Sequence, residues 1–438
     1  MKRDNFYFLA MIRLISLVLV EITCLKAFHT KNSFVPSSTL IFRIRRSSAS
    51  SSSEIDVDVA VVGGGIAGTT ISWLLQQNED CKVALIDPNA QNVNSTWYPN
   101  YGEWRDEWHS LSEALNLVEL KECTTTEWEV TDCFFGGNFQ IPMNERTRLD
   151  RPYIRVDRIK LQGLLRRKFA EAGGLAIASK ISAKKLSPNL FDTTALVHHS
   201  EGSVITLDNQ NRVNAKVVID ATGFESRLVA REDPYNARGN PRVLRPGYQI
   251  AYGFIAYIDN MGPYDPLAMT LFDYRTDYNT DTTNKDIIDR PTFMYVMPLK
   301  ILEGGKYKVF FEETSLVGRD SRMLSFTECK KRALERLAFY NITIESIEEE
   351  EYCYIPMGGE LPDLTQRIVA FGGSANMVHP STGIGSIFSY DLNLHLSIFS
   401  HSVYVVIPFS GEHIIVFEVI STGYVVPVDF LKFSQHYG

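Results

Sequence analysis

Glu312 and Glu313 stand side by side in "KVFFEETSLV", residues 308–317, a stretch otherwise rich in aromatic and β-branched residues. Such a stretch reads as a strand, and neighbouring strand side chains point to opposite faces of a sheet. One carboxyl then meets solvent while the other meets the core. Apolar surroundings disfavour the carboxylate, so a buried carboxyl keeps its proton near neutral pH and is a general acid. What it protonates depends on the elements that place it.

The first of these elements is "EIDVDVAVVGGGIAGTTISWLL", residues 54–75. A buried-strand pattern over Val57–Val62 runs into Gly63, Gly65 and Gly68, spaced G-x-G-x-x-G, and continues as a helix from Thr69. The strand before and the helix after are the context that gives this fingerprint its meaning. Gly63 permits the tight turn, Gly65 lets backbone approach a pyrophosphate, and Gly68 lets helix pack on strand. The anion then sits on the N-terminus of the helix, where unpaired N–H groups and the dipole favour it. The following strand, "KVALID", ends on Asp87, where an acid accepts ribose hydroxyls.

Two later stretches belong with it. "AKVVIDATG" is another buried strand, ending in Ala221, Thr222 and Gly223, and "RIVAFGGSANMVHPSTGIG" carries Gly372. Their order resembles the glutathione-reductase-like flavoproteins. It implies an α/β, two-domain FAD-binding (Rossmann) fold with a mixed-sheet substrate domain. Flavin hydroxylases carry a Gly-Asp at the third stretch; here Gly372 is followed by Gly373 and Ser374, which speaks against hydroxylation.

Composition narrows the class. The 438 residues are 45% hydrophobic, and the net charge is -8. Residues 1–53 carry eight Lys/Arg against two acids, a net +6, which leaves -14 on residues 54–438. An acidic body argues against nucleic acid as partner. The six cysteines include no C-x-x-C pair, so neither zinc nor a disulfide framework is expected.

With these residues in hand, the chain resembles the lycopene cyclases of plants and algae. The resemblance is carried in order by "WYPNYGEWRDEW" (97–108), "LDRPYIRVDRIKL" (149–161), "DATGF" (220–224), "PGYQIAYG" (246–253), "LFDYRTD" (271–277), "PTFMYVMP" (291–298), "FFEETSLVGR" (310–319), "IPMGGELP" (355–362) and "MVHPSTG" (377–383). It implies proton-initiated, non-redox closure of lycopene end groups, using reduced FAD with NADPH as electron source. It makes Glu312 the acid and Glu313 its neighbour on the other face, and brings in Asp273, Arg275 and His379 as further candidates. Ser315 and Ser381 favour β-ring over ε-ring formation. The competing readings are an ε-cyclase, a paralogue rearranging epoxy-carotenoids, and a truncated flavin-binding protein without turnover.

Domain boundaries follow. Residues 1–53 join a short apolar run to an acid-free, serine-rich basic stretch, a signal-plus-transit composition. It resembles the bipartite presequence of algae with secondary plastids, with Phe28 as the cleavage-site aromatic. That implies a plastid protein, peripheral to thylakoid or envelope membrane. Residues 54–383 form the FAD-binding cyclase domain, with nucleotide-side parts near 55–90, 213–225 and 366–383. Residues 384–438 lose the resemblance and helical periodicity and read as a divergent tail, the kind an unspliced intron leaves. The acidic run Glu348–Glu351 reads as a solvated strand start.

Overall fold

The computed structural model describes residues 53–377, apart from 93–96, 98, 137–140, 183–184, 188–189, 192–194, 227, 232–245, 280–284 and 364–365, together with the backbone of four strands between 396 and 427. The strand Glu54–Val62 lies between Val83–Ile86 and Arg212–Asp220, parallel to both. Ile368–Ala370 adds in parallel to the end of Arg212–Asp220. Val57, Val59, Val61 and Val62 are all buried, the two-sided burial expected of a parallel sheet. The helix Ile66–Gln76 packs Ile71 and Leu75 on that sheet. Within it Thr70 and Ser72 turn their hydroxyls back to the carbonyls of Ile66 and Gly68. The parallel register ends four strands in one row, Ile86, Val62, Asp220 and Ala370. Ligands of such sheets bind just beyond this carboxyl edge.

A second sheet of seven strands runs in the order Ile344–Met357, Gly247–Ile258, Tyr307–Ser315, Thr292–Ile301, Met269–Asp273, Thr131–Phe134 and Arg146–Leu149. Its pairs are antiparallel except Met269–Asp273 with Thr131–Phe134, so the sheet is mixed, as expected. The helix Phe326–Phe339, capped by the Ser325 hydroxyl on the Glu328 N–H, covers one face with Cys329, Ala333 and Leu337. On the other face lies a small sheet of Gly102–Trp104, Tyr153–Val156 and Thr124–Trp128. Alternation along Tyr153–Val156 makes that small sheet the joint of the molecule. Ile154 and Val156 enter the nucleotide-side core, and Tyr153 packs against the seven-stranded sheet. Within the tail, Leu396–Phe399, Ser402–Phe409, His413–Ile420 and Val425–Pro427 form an antiparallel meander, in keeping with the absence of helical period.

Under the covering helix the sheet carries charge that never reaches water. Arg336 and Glu313 are fully buried; Arg336 donates through Nη2 to Glu313 Oε1 at 2.9 Å and through Nε to Oε2 at 3.1 Å. Its Nη1 donates to the Arg275 carbonyl at 2.6 Å. Arg275 in turn grips Asp273 with two N–H···O bonds of 2.8 and 2.7 Å, and Tyr264 donates to the same carboxylate. Two acids and two guanidiniums thus balance in one buried network, and the facing carboxylates hold the Arg336 guanidinium charged against its burial. Removing one partner of such a network leaves an uncompensated buried charge, costing about 3–5 kcal/mol. Arg336→Met is therefore expected to lower stability by that amount, read as a drop in the urea midpoint. An unmoved midpoint would contradict the network's role.

Candidate functional site

The glycine loop has the geometry of an anion cradle. Gly63 sits at φ 106°, and a Cβ there would lie 2.4 Å from the Ala221 carbonyl oxygen. A Cβ on Gly68 would fall 1.8 Å from the Gly63 oxygen, so both positions exclude a side chain. Gly65 differs: nothing lies within 4 Å of its missing Cβ, and it is the residue from which the helix Ile66–Gln76 starts. Open space in front of a helix N-terminus is where a phosphate fits. Asp87 accepts the Gly64 N–H at 2.9 Å and the Asn89 N–H at 2.7 Å, so it shapes the loop. Asp220 anchors the second motif, taking the N–H and hydroxyl of Thr222 and the hydroxyl of Ser226. Gly223 and Gly372 both have positive φ, and Gly373 backs onto Gly223 and Phe224. The three sequence motifs converge on one edge of the sheet.

Glu312 lies on the seven-stranded sheet, on the face toward the small joint sheet. Residues opposite one another on adjacent strands share a face, and here Tyr295, Glu312, Gly253 and Glu351 form one row. Gly253 is the gap in that row. A Cβ there would come within 2.7 Å of Glu351 Cγ and 2.9 Å of its Oε1. Because it is missing, Glu351 leans over the central strand and hydrogen-bonds Glu312. The other Glu351 oxygen accepts the N–H and side-chain amide of Asn100 at 3.1 and 2.7 Å. Arg155 donates to the Asn100 carbonyl oxygen, which fixes the amide with its NH2 toward Glu351. Glu312 accepts the Thr314 hydroxyl at 2.7 Å.

Burial raises the pKa of Glu312, and it pushes Glu351 up to about 8 with the adjacent Glu312 carboxylate adding to the effect. Carboxyls in contact cannot both ionise cheaply, so the pair keeps one proton across neutrality. Glu351 is buried, whereas Glu312 retains partial exposure, so Glu312 is the accessible member of the pair. Aromatic rings lie alongside. Tyr295 donates to the Tyr153 hydroxyl at 2.7 Å, and Trp104 meets the Tyr153 ring edge-on at 5.1 Å. Glu103, 3% exposed, is pushed up to about 7 by burial, and its Oε2 finds no hydrogen-bond partner.

The expected residues therefore divide. Glu312 faces the joint sheet; Glu313 points the opposite way, as strand alternation demands. Asp273 and Arg275 join Glu313 and Arg336 beneath the helix, not Glu312, and their pairing is buried rather than superficial. Ser315 lies on the Glu313 side, where its hydroxyl accepts the Ile250 N–H at 2.9 Å. His379 and Ser381 lie outside the described residues. The acidic run corrects the expectation of a solvated strand start. Glu348, Glu349 and Glu350 pair with Lys308, Arg158 and Lys330 near the surface, but Glu351 turns inward because it falls opposite Gly253. Asn100, Gly253, Glu103 and Glu351 were missed as functional positions, though three of them lie within the stretches that carried the resemblance or beside it.

If Gly65 marks the phosphate position, a carboxylate placed there repels the ligand. Gly65→Asp is expected to abolish flavin retention while circular dichroism stays that of wild type; undiminished retention would show that the loop serves another purpose.

The family model described as "Lycopene cyclase protein" matches residues 58–388. The lycopene beta cyclase of Capsicum annuum is 35% identical over 331 residues, covering 75% of this chain and 57% of that protein. The Arabidopsis thaliana lycopene beta cyclase is 36% identical, covering 75% and 56%, and the neoxanthin synthase of Solanum lycopersicum is 33% identical, covering 76% and 58%. The chain thus spans about 57% of the length of the curated relatives it matches. Among solved structures, a flavin-dependent brominase aligns with a TM-score of 0.49 at 13% identity, over 77% of this chain and 76% of that one. A geranylgeranyl bacteriochlorophyll reductase-like protein of Thermoplasma acidophilum aligns at 0.47 and 17%, over 76% of this chain and 74% of that one. On the family match over residues 58–388 and its 35% identity to a curated cyclase over 75% of its length, the chain belongs to the lycopene cyclase family.

Proposed function

We propose that residues 54–383 form an FAD-binding domain that closes the end groups of lycopene into β-rings by protonation. The observation that carries this reading is a buried carboxyl pair, Glu312 with Glu351, that keeps a proton among aromatic side chains, with no cation paired to Glu312 among the described residues. Glu312 donates its proton to the terminal alkene: the O–H bond breaks as the alkene π pair forms a new C–H bond, leaving a tertiary carbocation. The neighbouring alkene attacks that cation and closes the ring. A ring C–H then gives up its proton, and its electron pair becomes the ring double bond. Substrate and product are isomers, and no electrons are gained or lost. Tyr295, Tyr153 and Trp104 offer π faces to the passing cation, worth about 2 kcal/mol where water is excluded.

The glycine loop, Asp87 and the Ala221-Thr222-Gly223 turn with Gly372 would hold FAD. In its reduced form, with NADPH as electron source, the flavin would supply negative charge near the carbocation. Relatives bear chloroplastic and chromoplastic names, which supports a plastid location. A substrate dissolved in lipid supports a peripheral membrane position; no helix among the described residues is long and apolar enough to span a bilayer. The β assignment over ε rests on the β-cyclase relatives, since Ser315 contacts backbone and not the acid pair. The neoxanthin synthase similarity keeps rearrangement of epoxy-carotenoids as a second reading, because the same acid would open an epoxide.

Lycopene-accumulating bacteria expressing the chain separate these readings. Wild type is expected to form β-carotene, and Glu312→Gln to form it at least ~10²-fold more slowly, the usual contribution of a positioned acid, with FAD retained. Normal cyclisation by a well-expressed Glu312→Gln variant would remove Glu312 from the reaction; ε-rings from wild type would refute the β assignment alone.

A further inference from the structure

Sequence reasoning supplied one acid for a reaction that needs a proton delivered and a proton removed. The row Glu312–Gly253–Glu351 supplies two carboxyls. Gly253 lies in the middle of the twelve-residue strand Gly247–Ile258, where glycine weakens a strand and marks a place that something else must occupy. What occupies it is Glu351, whose Oε1 and Cγ fill the Cβ position. Asn100 holds the other Glu351 oxygen with two N–H donors and is itself fixed by Arg155. The carboxyl is therefore aimed at Glu312 rather than free to turn.

We propose that Glu351 is the proton-sharing partner of Glu312, and that the pair, holding a single proton across Gly253, both delivers the proton that starts ring closure and takes back the one that ends it. The assignment rests on the cyclase reading of Glu312. The cycle balances without solvent. As the alkene C–H bond forms, the pair passes from one negative charge to two, facing the carbocation. As the ring C–H bond breaks, the proton returns and the pair regains its starting state. A lone carboxyl would perform the same exchange, but Glu351 sets how readily the first proton leaves. It also strengthens the base that must recover it.

Few other groups near the pair titrate in the same range. On the Glu312 side, Tyr295 and Tyr153 are raised by burial, as is Cys329 behind the sheet. On the Glu351 side, burial raises Tyr101 to about 12 and lifts Cys353 further still. Burial lowers Arg155 there, and Arg158 pairs with Glu349. Glu103 alone, among the described residues facing these tyrosines, loses its proton near neutrality.

The test is a pH titration of the purified full chain, following the carboxyl C=O stretch by infrared spectroscopy, for wild type, Glu351→Gln, Glu312→Gln and the surface control Glu348→Gln. Glu103 contributes equally to all four and cancels in differences. Glu351→Gln removes one of the two carboxyls that share the proton, so the upper ionisation of the pair is expected to give way to that of Glu312 alone, at a pH lower by about one unit or more, a tenfold change in proton activity. Glu312→Gln should lower the ionisation of Glu351 likewise, and Glu348→Gln should move neither. The alkaline fall in kcat should shift by the same amount in Glu351→Gln, with KM unchanged. A titration of Glu312 that ignores Glu351→Gln overturns the sharing; a shifted titration with an unshifted rate profile overturns its use in catalysis. A wild type that shows the shared proton but no turnover of lycopene would overturn the cyclase reading and leave the sharing standing.

Discussion

Adjacent residues of a strand face opposite ways, and when both are glutamates in a sheet covered on both faces, each must be stabilised by a different environment. Glu313 meets Arg336 and through it Asp273 and Arg275, a neutral cluster in which every charge has an opposite beside it. Glu312 meets another carboxyl. Burial without a cation forces protonation, whereas burial with a cation forces ionisation. The seven-stranded sheet thus separates two dissimilar electrostatic compartments. Were Arg336 on the Glu312 side, the acid would be an anion at neutral pH and unable to protonate an alkene.

The nucleotide edge was legible because its information is local. Gly63, Gly65 and Gly68 lie within one turn and one helix start, and the strand before them is apolar throughout, so the sequence itself draws the loop. The orientation of Glu312 against Glu313 was legible for the same reason, since alternation needs only neighbours. Asp273 and Arg275 were recognisable as a pair two residues apart, but their depth was not, because it depends on Arg336 arriving from a helix far along the chain.

Glu351 was illegible for a sharper reason. Four successive acids look solvated, and three of them are paired at the surface. The fourth is buried by register: the strand Ile344–Met357 is so placed that Glu351, and not Glu350, falls opposite Gly253 on the covered face. The signal that existed was indirect. "YQIAYGFIAYI" is an apolar, aromatic-rich strand whose interior holds one glycine, and a gap of that kind announces a neighbour that leans across it. Asn100 was hidden similarly, as a polar residue whose partner lies on another sheet.

The small joint sheet connects these observations to function. Its strand Tyr153–Val156 places Ile154 in the nucleotide-side core and Tyr153 against the acid's face. Arg155, two residues on from Tyr153 and on the same side of the strand, reaches Asn100 and so Glu351. The glycine-loop edge of one sheet and the Glu312 face of the other are thereby joined through a hydrogen-bonded element. The central claim is that this arrangement stores one proton between Glu312 and Glu351. Neutron diffraction from crystals of the deuterium-exchanged protein at neutral pH tests it most directly. A single deuteron between the two carboxyls is the predicted result; two bare carboxylates, or carboxyls turned away from each other across Gly253, would contradict it.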